Sequence, residues 1–413
     1  MQIKNLLNLK PNKRSFIKFL FLSIFSTFFF TSKKLKSINL KAFEDTTGFK
    51  NYGKPSKFEK IFRWISANPK LKGNGASYSP LSRLRGLIFP NGLHFERHHY
   101  GLKQINPAKY KLSLLGIPKN EITFSLHDLR SMKLLSLKTF IECGGNSNAM
   151  YNSNPLNTNV DLIHGLISFS EWTGVPLINI FKKLKFKSNI YPKWIEFESS
   201  DNGRYNISIP FKKAMSSGIL ALYQNGEPLR PEQGYPVRLI IPGWEGSTHV
   251  KWLRFIKFRD TPVHSRNETS RYTDLLENGK SRQFSFFMRT KSIIVDPHLG
   301  KKINPGENII SGIAWSGDAL IKKVEISYDS GKKWINCPFE NKDKSNMVRF
   351  QQKFEWSGEE LIIQSRCKDS RNYTQPSRNK FLKKMGKNAY YHYNGMTSWK
   401  INRDGYISHV YID

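Results

Sequence analysis

The run Phe140-Ile141-Glu142-Cys143-Gly144-Gly145-Asn146-Ser147-Asn148-Ala149-Met150-Tyr151-Asn152-Ser153-Asn154-Pro155 is the stretch from which the rest of the chain is read. It continues the apolar, strand-like segment 134–141, which delivers a single cysteine into a turn of glycines and asparagines. Gly144 and Gly145 admit backbone dihedrals closed to other residues and let a bulky ligand come close. A thiol offered on such a turn serves as a nucleophile or a soft metal ligand. The same residues also suit a small buried hydrophobe ahead of a loop, the usual fate of a free cysteine. On this stretch alone both readings stand.

The 413 residues suffice for two domains with substantial cores. Hydrophobic residues make up 38% and aromatic residues 13%, which argues against a disordered chain. Cys143, Cys337 and Cys367 form no disulfide framework, no CxxC pair and no CxxCH haem site. A Cys337–Cys367 bridge is conceivable, but the expectation is that both stay free, since spacing supplies no bridge geometry. The formal charge of +34 admits nucleic acid, an anionic membrane or an acidic partner. Lysines run through the whole chain among many asparagines and isoleucines, a pattern that compositional drift also produces. No arginine-rich helix, zinc finger or RNA-binding signature is present, so nucleic acid is set aside. Steering of an acidic protein or an anionic substrate stays open.

Residues 1–35 read as a targeting segment. Lys4, Lys10, Lys13, Arg14 and Lys18 precede an apolar or small run, 19–31, too short for a span of about 20 residues. Asn12-Lys13-Arg14-Ser15-Phe16-Ile17-Lys18 resembles a twin-arginine export signal with lysine in the first place, which implies a periplasmic protein. No small-x-small cleavage site follows, so an uncleaved anchor is the alternative. Residues 36–84 are polar and read as an irregular surface wrap. Residues 85–283 mix strand and helix signals: strand at 112–115, a capped helix at 125–132, helical spacing at 161–172, strands at 238–241 and 250–258. That is an α+β pattern, with a polar linker at 261–282. Residues 284–413 carry strand and turn signals almost throughout, at 309–315, 321–328, 348–356, 361–367 and 406–411, which indicates an immunoglobulin-like β-sandwich.

Two constellations accompany Cys143. In His94-Phe95-Glu96-Arg97-His98-His99 the clustered histidines are of a type that binds metal, but His98 and His99 would point to opposite sides of a strand. Arginine and imidazole donors better suit phosphate or another oxyanion. In Gly234-Tyr235-Pro236-Val237-Arg238 through Gly243, Gly246 and His249-Val250-Lys251-Trp252, a strand, a Pro/Gly loop and a second strand carry three cationic groups. A solvated surface hairpin is the competing reading there.

Together these stretches resemble the sulfite oxidase family of molybdenum enzymes. The shared motifs are Phe-x-Arg-x-His (95–99), Glu-Cys-x-Gly-Asn (142–146), Glu171-Trp172-Thr173-Gly174-Val175-Pro176-Leu177, and Gly-Tyr-Pro-Val-Arg through His-Val-Lys-Trp. The second half adds Gly312-Ile313-Ala314-Trp315-Ser316-Gly317 and 324–331, similar to the family's sandwich dimerisation domain. Segments 91–99, 225–234 and 242–246 look most like the sulfane dehydrogenase branch, from periplasmic thiosulfate oxidation.

The resemblance implies a fold, a molybdopterin-binding domain followed by the sandwich, and a set of roles. Cys143 would be the protein ligand to molybdenum, with a pyranopterin dithiolene supplying two further sulfurs. Phe95, Arg97, His99, Asp201, Gln233, Arg238, His249, Val250 and Lys251 would hold the pterin and its phosphate. Arg97 would also stabilise an anionic substrate, Tyr272 would hydrogen-bond near the metal and Trp172 would form a pocket wall. The reaction implied is oxygen-atom transfer to sulfur, with electrons leaving to a separate c-type cytochrome, since this chain has no haem motif. A homodimer within a heterotetramer is implied too.

Ser147 and Asn148 stand where true sulfite oxidases place arginines, and another family arginine is replaced near 384–386. Fewer cations favour sulfur borne on a carrier protein over free sulfite. The alternatives are a sulfite dehydrogenase, a methionine sulfoxide reductase on the same fold, and a cofactor-free scaffold.

Overall fold

The computed structural model describes residues 56–67, 70, 73–116, 121–182, 184, 191–386 and 388–412, so the export-signal reading of residues 1–35 lies outside the described residues. Around Cys143 the backbone is organised by the strand Leu135–Glu142, whose last four residues, Thr139 to Glu142, are all buried, the polar ones included. It pairs antiparallel with Ile167–Pro176, from Leu135 opposite Gly174 to Glu142 opposite Ile167. Ile167–Pro176 pairs with Ile219–Gln224, which is joined by Glu227–Pro228 and Arg238–Ile240. A second sheet runs Ile122–Ser125, Lys111–Leu115, Leu253–Arg259, Trp194–Ser199, Asn206–Pro210, and its Leu253–Arg259 to Lys111–Leu115 pairing is parallel. The helix Leu126–Arg130 starts where the capping signal placed it: Ser125 Oγ accepts from Asp128 N–H while the Asp128 carboxylate accepts from Ser125 N–H.

Three local expectations give way to tertiary structure. The helical spacing at 161–172 is divided between a short helix, Val160–His164, and the strand Ile167–Pro176, because pairing with Leu135–Glu142 outweighs the local period. The polar wrap over 36–84 is, where described, partly sheet: Trp64–Ala67, Gly75–Tyr78 and Glu96–His98 form a three-stranded antiparallel sheet. The linker at 261–282 holds a helix, Arg266–Thr269, and a hairpin, Asp274–Leu275 with Ser281–Arg282. Two of its carboxylates are buried and satisfied: Glu268 accepts from Ser208 N–H (2.6 Å) and Ser265 N–H (2.8 Å), and Asp274 from Arg282 (2.7 Å).

The C-terminal half is an antiparallel sandwich. One sheet is Lys291–Asp296, Gly306–Trp315, Met347–Trp356; the other is Ile335–Cys337, Ile321–Ser327, Leu361–Asp369, Ser398–Ile401, Ile407–Val410. Cys337 and Cys367 lie opposite Val324 from its two sides, which puts them two strand spacings apart, about 10 Å and beyond disulfide reach. Both thiols are free.

Ile61–Asp413 form one compact unit, and the sandwich shares its core with the first half. Phe89, Phe140, Ile167 and Phe169 pack in the same apolar cluster as Trp315, Phe350 and Trp399. The contact is close enough to demand glycine on both sides. A Cβ on Gly243 would lie 1.5 Å from the Gly317 carbonyl oxygen, and one on Gly317 would lie 2.2 Å from that of Gly243. Gly243 thus serves the join between the halves rather than a ligand.

Candidate active site

A cavity enclosing about 700 Å³ gathers Phe95, Arg97, His99, Cys143, Asp201, Gln233, Arg238, His249, Val250, Lys251 and Tyr272 from separated parts of the chain. Among the candidate residues only Trp172 is missing from its wall. Trp172 lies inside the sheet, opposite Leu137 on one side and Gln224 on the other, and is fully buried. Its ring backs the Arg238 guanidinium at 5.1 Å, so the pocket-wall expectation is corrected to a platform beneath a wall residue.

Cys143 follows the end of its strand, its N–H donating to Leu166 O (2.9 Å) and its carbonyl accepting from Asn146 N–H (2.9 Å). Gly144 is needed for space rather than for its dihedral, because a Cβ there would meet the Glu245 carboxylate at 2.9 Å. The left-handed position of the turn is Ser147, at φ 65°. Burial pushes the Cys143 thiol pKa up, opposed by the Gly145 backbone and Arg97. Left to itself this thiol stays protonated near neutrality, and a bound metal would be what deprotonates it.

The cations are held by the protein's own carbonyls. Arg238, 4% exposed, donates to Gln233 O (3.1 Å), Gln233 Oε1 (3.0 Å) and His249 O (3.2 Å). Lys251 Nζ reaches Arg97 O (3.3 Å), Glu232 O (3.0 Å) and His98 Nδ1 (3.0 Å), so its three protons are in use and it offers charge more than a free donor. Burial, then the charge of Arg238, holds the Lys251 pKa well below the usual lysine range. Arg97 donates to Asn74 Oδ1 (2.7 Å), Gly75 O and His98 O. Asp201 Oδ1 is spent on the N–H groups of Gly203 and Tyr205.

The histidines are neutral. Burial, reinforced by Arg97 and Arg271, pushes His99 down to about 3, and its Nε2 lies 3.1 Å from Tyr272 Oη. His249, also pushed to about 3 by burial and then Arg238, accepts from Ile241 N–H at Nδ1 and donates to Trp244 O from Nε2. Both its nitrogens are therefore occupied, and it orders the loop instead of reaching a ligand. His94 and His98 also line the cavity and were not among the candidates. The strand Glu96–His98 ends at His98, so the alternation that set His98 against His99 stops there, and His94 lies ahead of it at the end of the turn Asn91–Leu93. His94 Nδ1 faces the Phe95 carbonyl (2.9 Å) as donor, which leaves its buried Nε2 without a partner.

A second, wider recess shares Arg97, His99, Cys143 and Tyr272 with the cavity and opens over the cysteine. It is lined by Tyr78, Tyr390, Tyr391, Asn148, Arg271 and Lys70 among others. Asn148 thus faces the mouth, whereas Ser147 is buried against His164 and Lys291 and meets no substrate. Residues 384–386 line neither recess, and the sandwich half reaches the mouth through Tyr390 and Tyr391 instead. Asp274 Oδ1 fixes both tyrosines by accepting their N–H groups at 2.9 and 3.0 Å. Only the three-dimensional path of the chain could have found them.

Among the described residues no three His, Cys, Asp or Glu side chains are grouped to hold a metal ion. The donor set fits a different arrangement. Arg97, Arg238 and Lys251 surround the cavity against the single carboxylate of Asp201, and Arg238 is buried with its Nε unpartnered. Such walls call for an anionic, hydrogen-bonding group with a soft metal beside Cys143.

Residues 99–267 match the oxidoreductase molybdopterin binding domain, and residues 282–397 the Mo-co oxidoreductase dimerisation domain. Mitochondrial sulfite oxidase of Rattus norvegicus is 27% identical over 273 residues, 62% of this chain and 50% of that protein. NADH nitrate reductase 2 of Arabidopsis thaliana is 28% identical over 326 residues, 68% of this chain and 35% of that protein. The chain spans about half the length of the sulfite oxidases it matches. The crystal structure of the sulfane dehydrogenase SoxCD from Paracoccus pantotrophus superposes with a TM-score of 0.83 at 34% identity, covering 88% of this chain and 94% of that one. The cationic cavity beside Cys143, the two matched domains and this likeness together establish that the chain belongs to the sulfite oxidase family of molybdenum enzymes, and its cofactor is molybdopterin-bound molybdenum.

Proposed function

We propose that this chain is the molybdenum-bearing subunit of a sulfane dehydrogenase, oxidising sulfur held on a carrier protein and passing electrons to a c-type cytochrome. The observation that carries the reading is the open recess above Cys143, walled by Tyr78, Tyr272, Tyr390 and Tyr391, with Asn148 at its rim. A recess this open, with tyrosine rings among polar and cationic groups, leaves room for the arm of a protein-borne substrate that a small oxyanion does not need. The Mo-co dimerisation match supports a dimer of this subunit, and its basic charge suits an acidic cytochrome face. The export-signal reading supports a periplasmic location.

Cys143 would hold the metal through its thiolate, and Arg238, Lys251 and Arg97 would neutralise the pterin phosphate. The chemistry that such a group supplies when bound is oxygen-atom transfer coupled to electron uptake. At the mouth, Arg97 orients the sulfur anion by charge, while Tyr272, tied to neutral His99 at 3.1 Å, presents its hydroxyl beside Cys143.

Oxidation of free sulfite is the second reading, favoured by Arg97, Arg271 and Lys70 around the same recess. Steady-state rates with thiosulfate-loaded carrier and with free sulfite, measured on protein carrying one molybdenum per chain, separate the two. A preference for free sulfite would overturn the carrier reading, and a wild-type chain that takes up no molybdenum would point to a scaffold.

A further inference from the structure

The turn that carries Cys143 is held from behind by the sandwich half. Lys291, first residue of the strand Lys291–Asp296, is 1% exposed, and its Nζ donates to Ser147 Oγ (2.6 Å) and Glu142 Oε1 (3.4 Å). The other Glu142 oxygen accepts from Trp315 Nε1–H at 2.6 Å. Ser147 Oγ lies 2.6 Å from His164 Nδ1, and His164 Nε2 lies 3.2 Å from Thr397 Oγ1. Burial holds His164 neutral, so the serine hydroxyl donates to Nδ1 and Nε2–H donates onward to the threonine. Glu142 precedes the cysteine and Ser147 closes its turn, so one ammonium joins both ends of the loop.

We propose that Lys291 is a positioning residue, fixing the 142–147 loop from the sandwich half and thereby aiming the Cys143 sulfur at the metal. This rests on the reading of Cys143 as the metal ligand. The ammonium lies over the Trp315 (5.4 Å) and Tyr393 (6.0 Å) rings, contacts that favour a cation but do not fix its direction, and an apolar side chain would fill the same volume. Desolvating the charge is costly and often goes unrepaid in stability. What an apolar residue lacks is a donor directed at both Glu142 and Ser147. Ser147 needs such a tie, because a serine in the left-handed region is held there only by its surroundings.

The test uses the full-length, metal-loaded protein with Lys291→Met and Ser147→Ala. Ser147→Ala leaves the Lys291–Glu142 pair intact, so it strands no lone buried charge and keeps the test alive if Lys291→Met does not fold. Both variants are expected to shift the Mo(V) electron paramagnetic resonance signal and lower kcat about tenfold with little change in KM, as misplacement at a reacting centre does. In cofactor-free protein, Cys143 is expected to react with a thiol reagent about fivefold faster than in wild type, through more frequent local opening. Folded variants with unchanged resonance signal, kcat and thiol rate would overturn the proposal. Should wild type hold no molybdenum, the metal-ligand reading fails, and the thiol rate alone still decides whether Lys291 clamps the loop.

Discussion

Arg238→Met separates what the fold needs from what the cofactor needs. The guanidinium is 4% exposed, and burial pushes its pKa down to about 9, against 12.5 in water. That depression corresponds to a penalty of about 5 kcal/mol on the charged form. Its three hydrogen bonds and the Trp172 ring at 5.1 Å return about 6.5–11 kcal/mol in favour, at about 1.5–3 per charge-assisted bond and about 2 for a desolvated cation–π contact. Methionine would recover about 1–2 kcal/mol by burying its apolar stem. Cofactor-free protein should therefore lose only about 2 kcal/mol, a fall of a few degrees in Tm. The loaded protein stands differently, because removing the partner of a buried anion costs about 3–5 kcal/mol, or about 150- to 5000-fold in retention. Molybdenum per chain after gel filtration, with calorimetry of the loaded and cofactor-free forms, measures both quantities. A variant that keeps one molybdenum per chain, or whose cofactor-free form is crippled, would refute the assignment of Arg238 as an anion-holding group.

Tyr272→Phe removes a half-buried hydroxyl that lies 3.1 Å from His99 Nε2, and should cut kcat about tenfold to a hundredfold while molybdenum content and Tm hold steady; an unchanged kcat would move the tyrosine out of the chemistry. Asn148→Arg places a cation on the rim of the recess, and should raise kcat/KM for free sulfite about tenfold while slowing carrier-borne substrate; no change with either substrate would deny Asn148 a part in selection. Stability should fall as pH drops below about 6.5, because His94, His99 and His249 (about 3) and His409 (about 4) resist protonation when folded but accept it when unfolded. Each contributes about 1.4 kcal/mol per pH unit, present in full above about 6.5 and lost progressively down to its folded pKa. His409→Asn, remote from the cavity, should lower the slope of calorimetric stability against pH by about one proton, and a flat profile from pH 6.5 to 4 would sink this account.

Much of the site was legible before any fold was known. Residue type alone left Cys143, Arg97, Arg238 and Lys251 open to bland readings; it was the order of the short motifs that carry them, and the resemblance those motifs bear to a known family, that implied their roles. More directly legible were the sandwich strands, whose alternation and turns are local, and the Ser125–Asp128 cap, a contact across three residues. The expectations that failed were those depending on partners far along the chain. Trp172 sits behind the cavity because of the register between Ile167–Pro176 and its two neighbouring strands. Ser147 looked like a substrate-facing residue, yet a lysine 144 positions away turns it inward. The polar stretch at 261–282 read as a linker because its charges gave no hint that Glu268 and Asp274 would be buried and satisfied by other segments. The kind of chemistry is thus written in the chain itself, while tertiary structure decides which groups face the metal, which only hold others in place, and how wide the mouth stands. The reason is physical: a residue type sets what a side chain can donate, accept or ligate, but its burial and direction are set by strands and loops brought together over long sequence distances.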